Sequence, residues 1–481
     1  MTGARIVSAR TSVLVRLGAL AVALGLWTLV LPAASASIHS VAVDAPTVTV
    51  SGATNVGFCG GDDWEPEVAA DAAGHVYVVL AHFTGDPDCD PASATQREIY
   101  VRASSDGGQT FGPLVALPRM GYPQVVDCVI TVDEETGAVY VSFLAYGKAG
   151  MTGAAADVLV SKSLDFGATW TTRKVNGPLC TGCDHPWIVA DDDNVYVTYA
   201  AGPDHFLSRS DDGGATWEES VVLRDTHVAF PEGGVVDAAG NAWFAWGDCF
   251  GSCTGKTAAI YQVSRTNAGT SDTEFARVAE GPAGPHCPPA GGCGFAFFGP
   301  QDDIAIDAAG NLYLVWQDNL SGKPNRPSIV QLSSCTADLD CTDEDSWEHV
   351  GRVDDKTATG CEGGRCYALF PRIEGGADGR IGTIWMDDRL GDPLDHTNGW
   401  NVWYRSSTDG GETWTGPSAR VSQFDMNRSE SHPNGFDFPY GDYQGIDLTP
   451  TGDIVMVWGE GHTDPGGPTN PGHVIYRSMA A

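Results

Sequence analysis

The chain has 481 residues, of which 62 are Asp or Glu and 27 are Lys or Arg, for a formal net charge of -35. A surface this acidic repels polyanions, which argues against nucleic acid and anionic membrane as partners and fits a solvated exterior, with calcium sites as the sharper alternative. About 445 residues past the leader would ordinarily make two or three domains, but no linker or low-complexity segment divides them.

Residues 1–36 carry Arg5, Arg10 and Arg16, then an uncharged run from Leu17 to Leu31, then Ala34-Ser35-Ala36. A basic start, an apolar run too short for a bilayer span and small residues before Ser37 are the marks of a secretory signal peptide. The expectation is a secreted, extracellular chain with residues 37–481 as its mature part, not held at a membrane. Next comes Ala45 to Ser51 (APTVTVS), which alternates like a strand.

Seven times thereafter an apolar strand, a turn at Asp or Gly and a second apolar strand ending in an aromatic residue recur, at 66–81, 125–143, 186–199, 231–246, 300–316, 371–385 and 443–458. Such repetition implies a repeat architecture. A second signal follows four of these units: Ser-x-Asp-x-Gly-x-Thr-aromatic, at Ser104 to Phe111, Ser163 to Trp170, Ser210 to Trp217 and Ser407 to Trp414. Glycine accepts positive φ, and Ser and Asp side chains can bond the amides of their own loop, so Asp106, Asp165, Asp212 and Asp409 read as hairpin-turn braces and not as catalysts. The unit starting at 231 has lost this turn (Thr266 to Phe275), and the next replaces it with the acidic loop Cys335 to Trp347.

These octapeptides resemble the Asp-box, or BNR, repeat of sialidases and related secreted β-propellers. The expected fold is all-β: a seven-bladed β-propeller of four-stranded antiparallel blades, as one domain from 37 to 481. The last unit stops after a third strand, His473 to Ser478, so Ala45 to Ser51 is expected to supply its outer strand and close the ring.

Thirteen cysteines in an exported chain argue for disulfides, and ten fall in close pairs: 180/183, 249/253, 287/293, 335/341 and 361/366. Zinc is the rival for Cys180-x-x-Cys183 with His185, but a second Cys-x-x-Cys is missing. Cys59, Cys89 and Cys128 remain, so one thiol is left over.

Both turn types of a four-stranded blade lie on one face, which leaves the long polar loops, and any cleft, to the other. Counting back seven residues from Gly74, Gly310 and Gly379 gives Glu67, Asp303 and Arg372, ionisable groups at one register of the inner strands. With Asp302, Asp127, Asp442 and Tyr443 they form the main candidate site; a structural ion-pair ring is the alternative. A second cluster, Asp387-Asp388-Arg389, follows Trp385, with Asp318 and Glu460 at comparable places.

Paired carboxylates are the minimum for glycoside hydrolysis, and the resemblance implies a carboxylate-activated tyrosine nucleophile and an Arg triad for a substrate carboxylate. On that basis Glu67, Asp303, Asp442 and Tyr443 are the catalytic candidates, and Arg372, Arg389 and Asp387 the substrate-binding ones. Arg119, Arg365 and Arg428 are further candidates for the triad. The sequence departs from sialidases in its seven units, where they have six blades, and in a reordered Phe370-Pro371-Arg372-Ile373 in place of their Phe/Tyr-Arg-Ile-Pro. Two functions follow: glycan processing, by an exo-sialidase or other glycoside hydrolase, or non-catalytic binding of carbohydrate or protein. No cofactor is required on either. Calcium can be placed at Asp86, Asp88 and Asp90 or at Asp338, Asp340 and Asp343, and a monomer is expected.

Overall fold

The computed structural model describes residues 52–58, 62–83, 97–148, 151, 155–175, 177, 180–202, 204–225, 229–249, 258–282, 301–319, 328–356, 367–390, 401–422, 444–460 and 473–480. Among these the fold is all-β, with no α-helix and one 3-10 turn at Glu344–Ser346.

Five sheets are separate and four-stranded. They comprise β11 to β14 (Cys183–Asp191, Asn194–Ala201, Asp204–Ser210, Val221–Asp225), β15 to β18 (Ala229–Val236, Ala242–Cys249, Ala258–Thr266, Thr273–Pro282), β19 to β22 (Asp302–Ile306, Leu312–Asn319, Ser328–Cys335, Glu348–Arg352) and β23 to β26 (Ala368–Gly375, Ile381–Asp387, Asn401–Ser407, Ala419–Arg420). The fifth joins β1 (Thr54–Asn55) to β27, β28 and β29 (Gly445–Leu448, Ile454–Glu460, His473–Met479). The remaining strands are β2 to β5 (Asp62–Ala70, Val76–Phe83, Arg97–Ser104, Val115–Ala116) and β6 to β10 (Gln124–Asp133, Ala138–Tyr146, Ala155–Ser163, Thr171–Lys174, Cys180–Thr181). These make one nine-stranded sheet.

The separate four-stranded sheets thus number five, not the seven expected from the repeats. The difference lies in the first two units, which a single parallel pairing of Arg97 with Gln124 joins. The segment 45–51, expected as the outer strand of the last unit, lies outside the described residues; the strand that pairs with β29 is Thr54–Asn55, through Tyr476 and Ile475. The leader, 1–36, also lies outside them.

The four box turns share one bonding scheme. Ser104 Oγ donates to Asp106 (2.7 Å) and accepts from the Gly108 amide (2.8 Å), while the Thr110 amide and hydroxyl both donate to Asp106 (2.8 and 2.6 Å). The same four bonds recur at Asp165, Asp212 and Asp409. The glycine before the bonded one sits at φ 70°, 63° and 69° at Gly107, Gly213 and Gly410, a left-handed backbone that any side chain strains; the second turn places Phe166 there at φ 57°. These carboxylates are wholly consumed as braces. Asp409→Ala should therefore cost on the order of 1 to 2 kcal/mol in a denaturant titration while leaving any activity per folded molecule unchanged. Trp414 is only half-buried, beneath the Arg405 guanidinium (5.2 Å), so its truncation costs less than a fully buried ring would.

The turns between the first two strands of three units carry a second brace. Asp71, Asp237 and Asp307 each accept two amides of their own turn and a ring donor from Tyr77, Trp243 and Tyr313 respectively. Both turn types meet: the amides of Gly107 and Gly410 donate to Gly74 O (3.2 Å) and Gly379 O (2.7 Å). All these turns lie at one end of the sheets. The other end, where β2, β6, β11, β15, β19 and β23 begin, is called the front below.

Candidate functional site

A cavity of about 180 Å³ is lined by β2, β6, β11, β15, β19, β23 and β27, the first strands of their runs. The register foreseen from sequence meets here. Arg372 on β23 pairs with Glu67 on β2 (Nη2 to Oε2, 2.9 Å) and Asp303 on β19 (Nε to Oδ2, 3.5 Å), and donates from Nη1 to the Glu232 carbonyl on β15 (2.6 Å). Its guanidinium also lies over Trp187 of β11, 4.5 Å from the ring centroid. One side chain thus ties together five inner strands.

Burial and amide bonds set the protonation of this group. Glu67 is 3% exposed and Arg372 8%. Desolvation drives Glu67 up to about 8 against the opposing pull of Arg372, and lifts Asp303 to about 6, where Arg372 and the Ile373 and Ile304 amides hold it lower. Glu374 and Asp447 beside them are also raised by burial, although Asp447 accepts the Ala70 and Leu448 amides. Burial thus holds the Glu67 carboxyl higher than that of Asp303 at the same guanidinium.

A second tier lies toward the front, of which the sequence offered Asp127 as a site candidate and His185 only as a zinc ligand. Bulges shift the register of β2, β6, β11 and β23, and at each a non-glycine residue takes a left-handed backbone: Glu65 (φ 51°), Asp127 (56°), His185 (48°) and Phe370 (52°). Such conformations persist only where surrounding structure enforces them. The Asp127 amide donates to Glu65 Oε2 (3.2 Å), and His185 Nδ1 lies 3.9 Å from Glu232 Oε1. Glu65, His185 and Glu232 are buried, whereas Asp127, Arg97, Tyr146 and Asp184 are partly exposed. Burial pulls Arg97 down and the neighbouring Glu65, Asp127 and Tyr146 oppose it, while desolvation keeps His185 neutral. Tyr146 donates to Cys183 O (3.4 Å), and burial, reinforced by Asp127, pushes its phenol far above its usual range, so it is no ionised nucleophile.

This tier had one signal in the sequence. Glu65, His185 and Phe370 each precede a proline that opens a repeat unit, and aligning the units on Pro66, Pro186 and Pro371 instead of on the turn glycines would have found them. Asp127 precedes Cys128, a cysteine that is free among the described residues, whose thiol faces the Glu65 carbonyl and is driven up by burial.

Asp387 and Arg389 do not join the cavity. Arg389 donates to Asp387 (2.6 Å), Asp355 (2.9 Å) and Ser418 (3.0 Å) and lies 3.8 Å over Trp403, a local brace in which Asp387 also accepts the Trp385 indole (2.9 Å). Arg119 pairs with Glu98 (3.0 Å). Asp302 is fully buried with both carboxylate oxygens unpartnered among the described residues. Asp318 takes a bond from Gln331 and Glu460 one from the Trp458 indole. Asp442, Tyr443, Arg365 and Arg428 lie outside the described residues. Of the calcium candidates, Asp340 and Asp343 accept amides of their own turn and Asp338 the Thr336 hydroxyl, while Asp86, Asp88 and Asp90 lie outside. No group of three metal-ligating side chains occurs among the described residues. Disulfides join Cys180 to Cys183 and Cys335 to Cys341, so zinc is not needed at the former; the other expected pairs lie wholly or partly outside.

No protein-family model matches the sequence, and no curated protein does. Among solved structures, the chain is similar to a protein of unknown function from Dyadobacter fermentans (10% identity, 90% of this chain and 99% of that one, TM-score 0.47). It is also similar to the NanB sialidase of Streptococcus pneumoniae (12%, 89% and 70%, 0.43) and to Trypanosoma rangeli sialidase (8%, 87% and 55%, 0.44), so it spans little more than half of the last.

Proposed function

We propose that the chain is a secreted, monomeric, sialidase-like Asp-box propeller that processes glycans at its front, with seven blades in a closed ring. Two observations support the ring: the cavity is lined by seven first strands, and Asp447 on β27 accepts the Ala70 amide of β2 (2.7 Å), linking the last run to the first. The leader supports export.

The observation that carries the functional reading is the front tier, where the partly exposed Asp127, Arg97 and Tyr146 neighbour the buried Glu65, with buried His185 and Glu232 paired in the same tier. Carboxylates beside a cation and an aromatic rim suit a polar, hydroxylated ligand, with Asp127 and Glu65 as the carboxyl pair for acid and base roles. Glu67, Asp303 and Arg372 form the floor beneath it. The second reading, a non-catalytic binding propeller, is favoured by Arg372, whose guanidinium is engaged by Glu67, Asp303, Glu232 and Trp187 and not held out for a substrate.

A hydrolysis screen on purified protein with sialosides and other glycosides separates the two. Turnover that falls by about 100-fold or more in Asp127→Asn, at unchanged thermal stability, is the expected result. Saturable glycan binding without turnover would establish the second reading instead.

A further inference from the structure

Resting on the reading that the front tier is the working face, we propose that Glu67 and Arg372 form a proton-operated lock: with its proton, Glu67 leaves Arg372 shared among five inner strands and the front tier held in register, and loss of that proton loosens the tier. The geometry is that of a shared cation. Glu67, Asp303, Glu374, Asp447 and the more exposed Glu134 line one cavity with Arg372, so ionising all five carboxyls against one guanidinium leaves four negative charges uncompensated (five minus one). Asp303 accepts two amides, from Ile304 and Ile373, and Asp447 two, from Ala70 and Leu448. Each glutamate accepts one amide, Glu67 from Val68 and Glu374 from Gly375, and Glu67 accepts from Arg372 Nη2 besides (2.9 Å), so the backbone solvates the glutamates less than the aspartates.

Of the two, Glu67 touches Arg372. The ionisable groups that face it are Arg372 and Glu374 from β23, Asp303 from β19, Asp447 from β27 and the Cys128 thiol from β6. Ionised, Glu67 draws the guanidinium to itself and repels Asp303 and Asp447. The bonds that weaken are those of Arg372 to the Glu232 carbonyl and to the Trp187 face. Both lead to the front tier: the Glu232 carboxylate stands 3.9 Å from His185, and Trp187 follows His185 by two residues on β11. The sign follows from linkage. A carboxyl whose value is raised on folding contributes stability that is present below its unfolded value and is lost as pH rises toward about 8, the value Glu67 reaches here.

Hydrogen exchange of the full chain, without glycan, tests this independently of whether the protein is an enzyme. From about pH 6 to about pH 9, and after correction for intrinsic exchange, protection in 183–190 and 230–236 should fall by about tenfold while 312–319 stays constant, and Glu67→Gln should abolish the change. The same pH dependence in Glu67→Gln, or none in the wild type, overturns the lock. Should Glu67→Gln fail to fold, Glu67→Asp replaces it in the infrared difference spectrum between about pH 7 and about pH 9: loss of a protonated-carboxyl band in the wild type that is shifted in Glu67→Asp supports the lock, and no such loss, or an identical one in both, refutes it.

Discussion

Arg372→Met should destabilise the protein by about 3 to 5 kcal/mol, because it strips the one guanidinium from a cavity shared with Glu67 and Asp303 and leaves buried carboxyl groups without their counter-charge. The loss should depend on its partner. In Arg372→Met combined with Asp303→Asn the buried carboxylate is gone as well, so the double variant should lose less than the sum of the two single losses. Chemical denaturation at constant pH measures all three. Additive losses would mean that Arg372 acts through Trp187 and the Glu232 carbonyl alone.

Trp458→Ala should cost a similar amount, about 3 to 5 kcal/mol, for a different reason. The ring is fully buried at the end of β28, in the core that Ile446, Met456 and Ile475 share with Leu369 and Met386, and its indole N–H donates to Glu460 Oε1 (2.8 Å). Truncation opens a cavity and removes a donor from a buried carboxylate. Trp458→Phe keeps most of the apolar volume and loses the bond, so it should recover more than half of the loss. Equal losses in the two variants would assign the effect to the hydrogen bond and not to packing. Trp385 repeats the arrangement on β24 with Asp387 as acceptor, so carboxylates that the sequence suggested as site residues serve there to satisfy a buried indole.

Much of the fold was legible because its signals are local. The Ser, Asp, Gly and Thr of each box close their bonds within eight residues, and the aromatic strand ends recur at fixed distance from the turns, so spacing along the chain was enough. The channel register of Glu67, Asp303 and Arg372 was legible for the same reason, through counting from the turn glycines. The partners of Arg372 on β15 and β11 were not, because its contacts span 305 residues to Glu67 and 140 to Glu232, and no local spacing points to the Glu232 carbonyl or the Trp187 face. The front tier was missed because bulges at β2, β6, β11 and β23 insert a residue, which displaces Glu65 and His185 from any register counted in steps of two. Arg389, a substrate-binding candidate in the sequence, bonds Asp355 and Ser418, neighbours that nothing in the sequence placed beside it. The seven separate sheets expected from the repeats became five and one of nine strands because of the Arg97 to Gln124 pairing, a single contact that no repeat count reveals.

The central claim is that chemistry belongs to the front tier and cohesion to the floor beneath it, and turnover per folded molecule in paired variants tests it most directly. Asp127→Asn and Arg97→Ala should keep the wild-type melting temperature and lose about 100-fold or more in kcat/KM on a glycoside found by the hydrolysis screen, whereas Asp303→Asn should melt lower and keep its activity per folded molecule. The reverse outcome, with full activity in the front variants and an inactive but fully stable floor variant, would contradict the account and move the site to Glu67, Asp303 and Arg372.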